Sequence, residues 1–147
     1  MRPTVLVIDD DRALLAKMSA AFHAGGFRTL CAETGRIGSE LARSSAPDVV
    51  VTDILMPDQE GIATIIQLKA LPRPPKVIAI SGGGRLASSV VLNWASHLGA
   101  DAALPKPFPV EGLVKLAKRL LPGPVANAPQ LDDIAINAFL ENERCAS

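Results

Sequence analysis

Val5-Leu6-Val7-Ile8-Asp9-Asp10-Asp11 is the stretch on which the reading of this chain turns. Four apolar residues without alternation suit a short strand buried on both faces, as in a parallel sheet covered by helices. The run ends in three aspartates, so the strand delivers carboxylates at its carboxyl end. The rest of the chain repeats the pattern. Leu14, Met18 and Phe22 follow at helical spacing, and Gly25-Gly26 stops that helix. A weaker strand spans Phe27 to Cys31, and a short helix runs from Ile37 to Arg43, ending before Pro47.

Val49-Val50-Val51 reads as a third strand, followed by a helix outlined by Ile62, Ile65, Ile66 and Leu68. Val77-Ile78-Ala79-Ile80 reads as a fourth, with Val90, Trp94 and Leu98 marking the next helix, where Trp94 packs onto the sheet. Ala102-Ala103-Leu104 is a short fifth strand before an amphipathic helix carrying Val110, Leu113, Val114, Ala117 and Leu121. Five strands each followed by a helix predict an α/β fold with a parallel sheet and right-handed crossovers. In such sheets the site lies beyond the carboxyl ends of the strands, at the topological switch point.

The 147 residues suffice for one ordinary core. Fifteen acidic residues balance fifteen basic ones, so no net field favours nucleic acid or an anionic membrane. No run approaches the ~18 apolar residues of a membrane span, and the start is not a signal peptide. Cys31 and Cys145 have no metal-ligand spacing and read as inert intracellular thiols, so the expected compartment is the cytoplasm. His23 and His97 read as surface residues. Residues 1–122 form the expected domain. Residues 123–147 form a Pro-rich linker and a short amphipathic helix, with Leu131, Ile134, Ala135, Ala138 and Phe139 on one face, free or packed on the domain or a partner.

The strand ends gather Asp9, Asp10, Asp11, Asp53, Ser81 and Lys106. Crowded carboxylates repel unless a cation sits among them, and an oxygen-only set selects Mg²⁺. An aspartate can form an acyl phosphate, a lysine can neutralise phosphoryl oxygens, and a small hydroxyl can donate to them. Asp11 reads as the N-cap of the first helix.

VLVIDDD, VVTDILMPDQEG, VIAISGG and LPKPF, in this order and separation, resemble the four signature segments of response-regulator receiver domains over residues 3 to 121. The resemblance implies a CheY-like, flavodoxin-like (βα)5 doubly wound sheet of order 2-1-3-4-5. It makes Asp53 the phosphoacceptor and Asp9, Asp10, Asp53 and the Leu55 carbonyl the Mg²⁺ ligands, Asp10 directly and Asp9 partly through water. Ser81 becomes the switch hydroxyl and Lys106 the phosphate-pairing cation before a cis Pro107, while Pro57 and Gly61 match the turn after the phosphoacceptor. The implied function is a stand-alone, non-enzymatic switch of protein–protein interactions. It takes phosphate from a histidine kinase or histidine phosphotransfer protein, as a monomer or weak dimer, with no DNA and no membrane. Ala103 stands where most of the family carry an aromatic, so the signal must leave through Ser81, the loop Gly82-Gly83-Gly84 or the C-terminal segment. Leu55 and Gly83 offer nothing to position water, which implies slow self-dephosphorylation. An aspartyl-phosphate small-molecule phosphohydrolase and a phosphate-independent pseudo-receiver are the competing readings. Against the hydrolase, Leu55 stands where a second aspartate is usual.

Overall fold

The computed structural model describes residues 2–54, 61–81, 93 and 96–122. Five strands, β1 (Thr4–Ile8), β2 (Arg28–Ala32), β3 (Val49–Asp53), β4 (Lys76–Ser81) and β5 (Ala102–Pro105), form one parallel sheet in the order β2-β1-β3-β4-β5. The helices among the described residues are α1 (Arg12–Ala24), α2 (Gly35–Ser45), α3 (Gly61–Lys69) and α4 (Val110–Leu120). The expected helix over Val90–Leu98 falls largely outside the described residues, as do Leu55, Pro57, the glycine run 82–84, Trp94 and the segment 123–147.

The unbroken apolar runs are explained by burial on both faces. Val5 and Val7 join one core with Val49, Val51, Ile78 and Ile80, beneath Leu15, Met18, Phe22, Leu113, Val114 and Ala117. Leu6 and Ile8 point the other way, into a second core with Val50, Val77, Ala79, Ile65 and Leu68. Alternate residues of each strand thus feed opposite layers. Each fully buried Leu, Ile or Val contributes about 1.5–3 kcal/mol by leaving water, before the cost of ordering the chain.

Local signals set the helix ends. The Asp11 carboxylate accepts from the N–H groups of Ala13 and Leu14, so its expected capping role is what the structure shows. Gly26 stands at φ 93°, a conformation a glycine adopts without strain, just after α1. Thr34 Oγ1 accepts from Ile37 N–H to start α2, which is longer at both ends than the apolar spacing suggests. Before Pro47, Ala46 ends α2 in the left-handed region at φ 48°. In α4, Glu111 in the first turn and Lys118 and Arg119 in the last match the helix dipole.

Three expectations are corrected. Phe27 precedes β2 instead of opening it, and its ring packs edge-on to Phe22 with centroids 5.1 Å apart. Leu15 is the buried residue of the first turn of α1, with Leu14 only half-buried at its flank. Ile66 is half exposed because Thr64, Ile65 and Leu68 already fill the inward face of α3. His23 and His97 lie on the surface, as expected. Among the described residues, no helix is long and apolar enough to cross a membrane.

Candidate functional site

The strand order reverses between β1 and β3, and the carboxyl ends of these neighbours carry Asp9 and Asp53. That juxtaposition requires only two apolar runs of the right length in register, Ile8 opposite Thr52. Asp9 is fully buried and Asp53 nearly so. Lys106, after β5, reaches back across β4, and its Nζ lies 3.0 Å from Asp53 Oδ2 and 2.9 Å from Asp9 Oδ2. The Lys106 N–H donates to the Ser81 carbonyl at 2.8 Å, which ties the lysine's backbone to the end of β4. The Lys106–Pro107 peptide is cis, as the resemblance implies.

The three consecutive aspartates divide their tasks. Asp9 turns inward, and its Oδ1 accepts from the Asp11 N–H at 2.8 Å. Asp10 is exposed, and Asp11 caps α1. Asp9, Asp10 and Asp53 can each bring a carboxylate oxygen to a common point, these atoms lying within 4.8 Å of one another. Ser81 is buried at the end of β4, one strand from Asp53. The approach of Lys106 to Asp9 is an ion pair whose angles leave Asp9 Oδ2 without a directed hydrogen bond.

Burial pushes the Asp9 carboxyl above the usual carboxylate range. The Asp11 N–H and the Lys106 ammonium pull it back less, and the Asp53 charge adds to the rise. Burial pushes Lys106 down, but Asp9 and Asp53 outweigh it, so its net shift is upward. Three clustered carboxylates, two of them paired to one ammonium, leave a formal excess of two negative charges, the charge of a divalent cation. With oxygen donors only, one of them buried and lacking a directed partner, the residues fit Mg²⁺.

Two features escaped the sequence. Lys106 contacts Asp9 as well as Asp53, because burial of Asp9 places it across from the lysine. Gly61 supports the Asp53 backbone: its N–H donates to the Ile54 carbonyl at 2.9 Å. A Cβ there would lie 2.2 Å from the Asp53 carbonyl oxygen. The glycine was legible as part of a turn, but not as the floor beneath the acid.

A doubly wound sheet with an acid pair, a third aspartate and a lysine at its switch point defines a CheY-like receiver domain. Residues 5–118 match the family described as response regulator receiver domain, and the chain belongs to that family, the phosphorylatable modules of two-component signalling. The chain is 33% identical over 119 residues to the transcriptional regulatory protein PrrA of Mycobacterium tuberculosis, covering 81% of this chain and 50% of PrrA. It is 31% identical over 117 residues to the response regulator MprA of Mycolicibacterium vanbaalenii, covering 80% of this chain and 49% of MprA. The crystal structure of a CheY-like receiver domain protein from Methanospirillum hungatei superposes with a TM-score of 0.72 at 26% identity, covering 80% of this chain and 92% of that one.

The chain spans about half the length of PrrA and MprA. The expectation that DNA plays no part therefore finds no support, since a relative matched over half its length is named a transcriptional regulatory protein. The family typically binds Mg²⁺ and is phosphorylated on aspartate by histidine kinases.

Proposed function

We propose that the chain is a phosphorylation switch in which Asp53 accepts a phosphoryl group from a histidine kinase or histidine phosphotransfer protein. One observation carries the reading: a buried carboxylate at the switch point, Asp53, shares a lysine ammonium with a second buried carboxylate within 3.0 Å. An Asp53 carboxylate oxygen attacks phosphorus, and an O–P bond forms as the P–N bond of the phosphohistidine breaks. The electron pair stays with the imidazole nitrogen, which takes up a proton. Lys106 turns from the Asp53 carboxylate to the new phosphoryl oxygens, and the Ser81 hydroxyl donates to the same group. Asp9, Asp10, Asp53 and the Leu55 carbonyl would hold Mg²⁺, which supplies charge neutralisation on those oxygens when bound.

In this reading the protein modifies itself and turns over no separate substrate, and its output is a changed affinity for a protein partner. A kinase donor draws on ATP, which supports action in the cytoplasm. The test is incubation with Mg²⁺ and acetyl phosphate, followed by intact mass. Wild type should gain one phosphoryl adduct and Asp53→Ala none. A wild type without an adduct, or a mutant that keeps it, would overturn the proposal.

A further inference from the structure

The flank of α1 that faces β2 forms an open groove of about 710 Å³, lined among others by Leu15, Ala16, Ala20, Thr29 and Cys31. The opposite flank, with Leu14 and Lys17, is the one turned toward Lys106, Phe108 and the start of α4. Ala16 and Ala20 are exposed one helical turn apart, and their small side chains let a second segment come close. β2 is the edge of the sheet, so no described strand covers its outer side. At the C-terminal end of α1 the groove meets a hollow lined by Arg2, Arg28 and His23, with no carboxylate in its lining. At the other end stands the Arg12–Glu33 ion pair.

The chain beyond α4 departs from this neighbourhood. Val114 of α4 lies against Gly25 at the end of α1, and Leu121 packs on the core that the two helices share. Pro122 to Leu131 can extend roughly 30 Å at about 3.3 Å per residue. Passing beneath α1 into the groove takes roughly 20 Å, two steps of helix spacing. The first charged residues after Arg119 are Asp132 and Asp133, followed by the apolar positions Ile134, Ala135, Ala138 and Phe139.

We propose that residues 131–139 dock in the α1–β2 groove of their own chain, with Asp132 and Asp133 at the basic mouth and the apolar positions along Ala16 and Ala20. Reach, the order of acids before apolar residues, and the mouth's charge all select this occupant. The docked segment lies on α1, whose N-cap Asp11 donates its N–H to Asp9, so the contact adjoins the phosphorylation site without entering it. It holds whether or not Asp53 accepts phosphate.

The chain carries its own reporter. Cys31 is exposed in the groove, and Cys145 follows Phe139 by a few residues. The full-length protein is oxidised with diamide, which takes up two electrons and two protons as the thiols join, and the disulfide is mapped by mass spectrometry. A mixture of isotope-labelled and unlabelled protein separates bonds within a chain from bonds between chains. Docking predicts a Cys31–Cys145 bond within one chain, forming about tenfold or more faster than in concentrated urea because the thiols share a raised effective concentration. Ile134→Glu and Ala20→Arg, each checked for native circular dichroism, should both return the rate to the urea baseline. The first lies outside the described fold and probes the contact from the other side. A native rate equal to that baseline, a rate that neither variant changes, or bonds mainly between chains would overturn the proposal, the last assigning the groove to a second copy.

Discussion

Replacing Gly61 with alanine tests whether the acid that faces Lys106 is held by close backbone packing beneath it. The new Cβ would fall 2.2 Å from the Asp53 carbonyl oxygen, 2.4 Å from the Ile54 Cα and 2.6 Å from the Ile54 carbonyl oxygen. All three are backbone atoms, so no side chain can rotate away. Opening the shortest contact from 2.2 Å to the 3.0 Å that Cβ atoms respect moves α3 or the Asp53–Ile54 peptide by about 0.8 Å. Overpacking of this kind costs about 1–3 kcal/mol, and the 2.9 Å hydrogen bond from Gly61 N–H to Ile54 weakens as well, so about 2 kcal/mol is expected. A displacement approaching 1 Å at a reacting group lowers rate by up to about 100-fold. Urea unfolding with Mg²⁺ present would read the first effect, and the initial rate of acetyl phosphate labelling the second.

The control is Gly38→Ala, where the added Cβ meets Ile8 Cδ1 at 2.3 Å and Cγ1 at 2.7 Å. These are side-chain atoms of the buried Ile8 and not backbone, so the clash can be relieved by repacking at about 1–3 kcal/mol without moving the strand, and the labelling rate should stay intact. A Gly61→Ala protein within about 0.5 kcal/mol of wild type and labelled at full rate would refute the reasoning. So would a Gly38→Ala protein that lost labelling equally.

Ala46→Gly should stabilise the fold by about 1 kcal/mol in urea unfolding, because alanine bears the cost of φ 48° and glycine does not. Asp9 holds its proton more tightly folded than unfolded, so the metal-free protein should lose stability as pH rises above 3.8 through the higher folded value. Unfolding midpoints across that range should show the loss, with Mg²⁺ flattening it and Asp9→Asn removing it. Lys106→Met should destabilise the metal-free protein by about 3 kcal/mol at neutral pH, leaving two buried carboxylates without their cation, with partial recovery in acid. The Lys106 contribution in wild type should persist below pH 10.5 and fade as pH rises through its raised folded value, a slope that Lys106→Met should lack.

The sheet was legible because its strands are buried on both faces, which leaves runs such as Val5–Ile8 and Val77–Ile80 that little else in a short domain produces. β2 was harder to bound. As an edge strand it is only partly covered, and Phe27 adds an apolar residue that belongs to the core and not to the strand. Ile66 misled for a related reason, since an isoleucine says nothing of which way it faces when three neighbours already fill the inner side. Among the site residues, Asp53 and Lys106 could be paired from their places at strand ends. Of the three aspartates after β1, Asp11 was legible as the cap, but the buried Asp9 could not be told from the exposed Asp10 by type, because burial and exposure are assigned by the path of the chain into α1.

That path also says why the site calls for a divalent cation. At rest Lys106 is the one cation the described residues place within salt-bridge distance of either buried carboxylate, and Asp9 and Asp53 share it. Under the proposed function, phosphorylation raises the negative charge on Asp53 and draws the ammonium toward the new oxygens. Asp9, fully buried, would then keep, among the described residues, only the Asp11 N–H on Oδ1 and nothing directed on Oδ2. An ionised carboxylate cannot remain so at small cost in a buried site. Either it takes a proton, for which its raised pKa already prepares it, or a divalent ion held by Asp9, Asp10 and Asp53 would offset its charge. In the second case the charge Lys106 gives up at Asp9 is returned with one unit to spare, which the phosphoryl group absorbs. Labelling of Asp53 should therefore require Mg²⁺ in wild type, and Asp9→Asn, with one of the three carboxylates gone, should need more Mg²⁺ to reach the same initial rate.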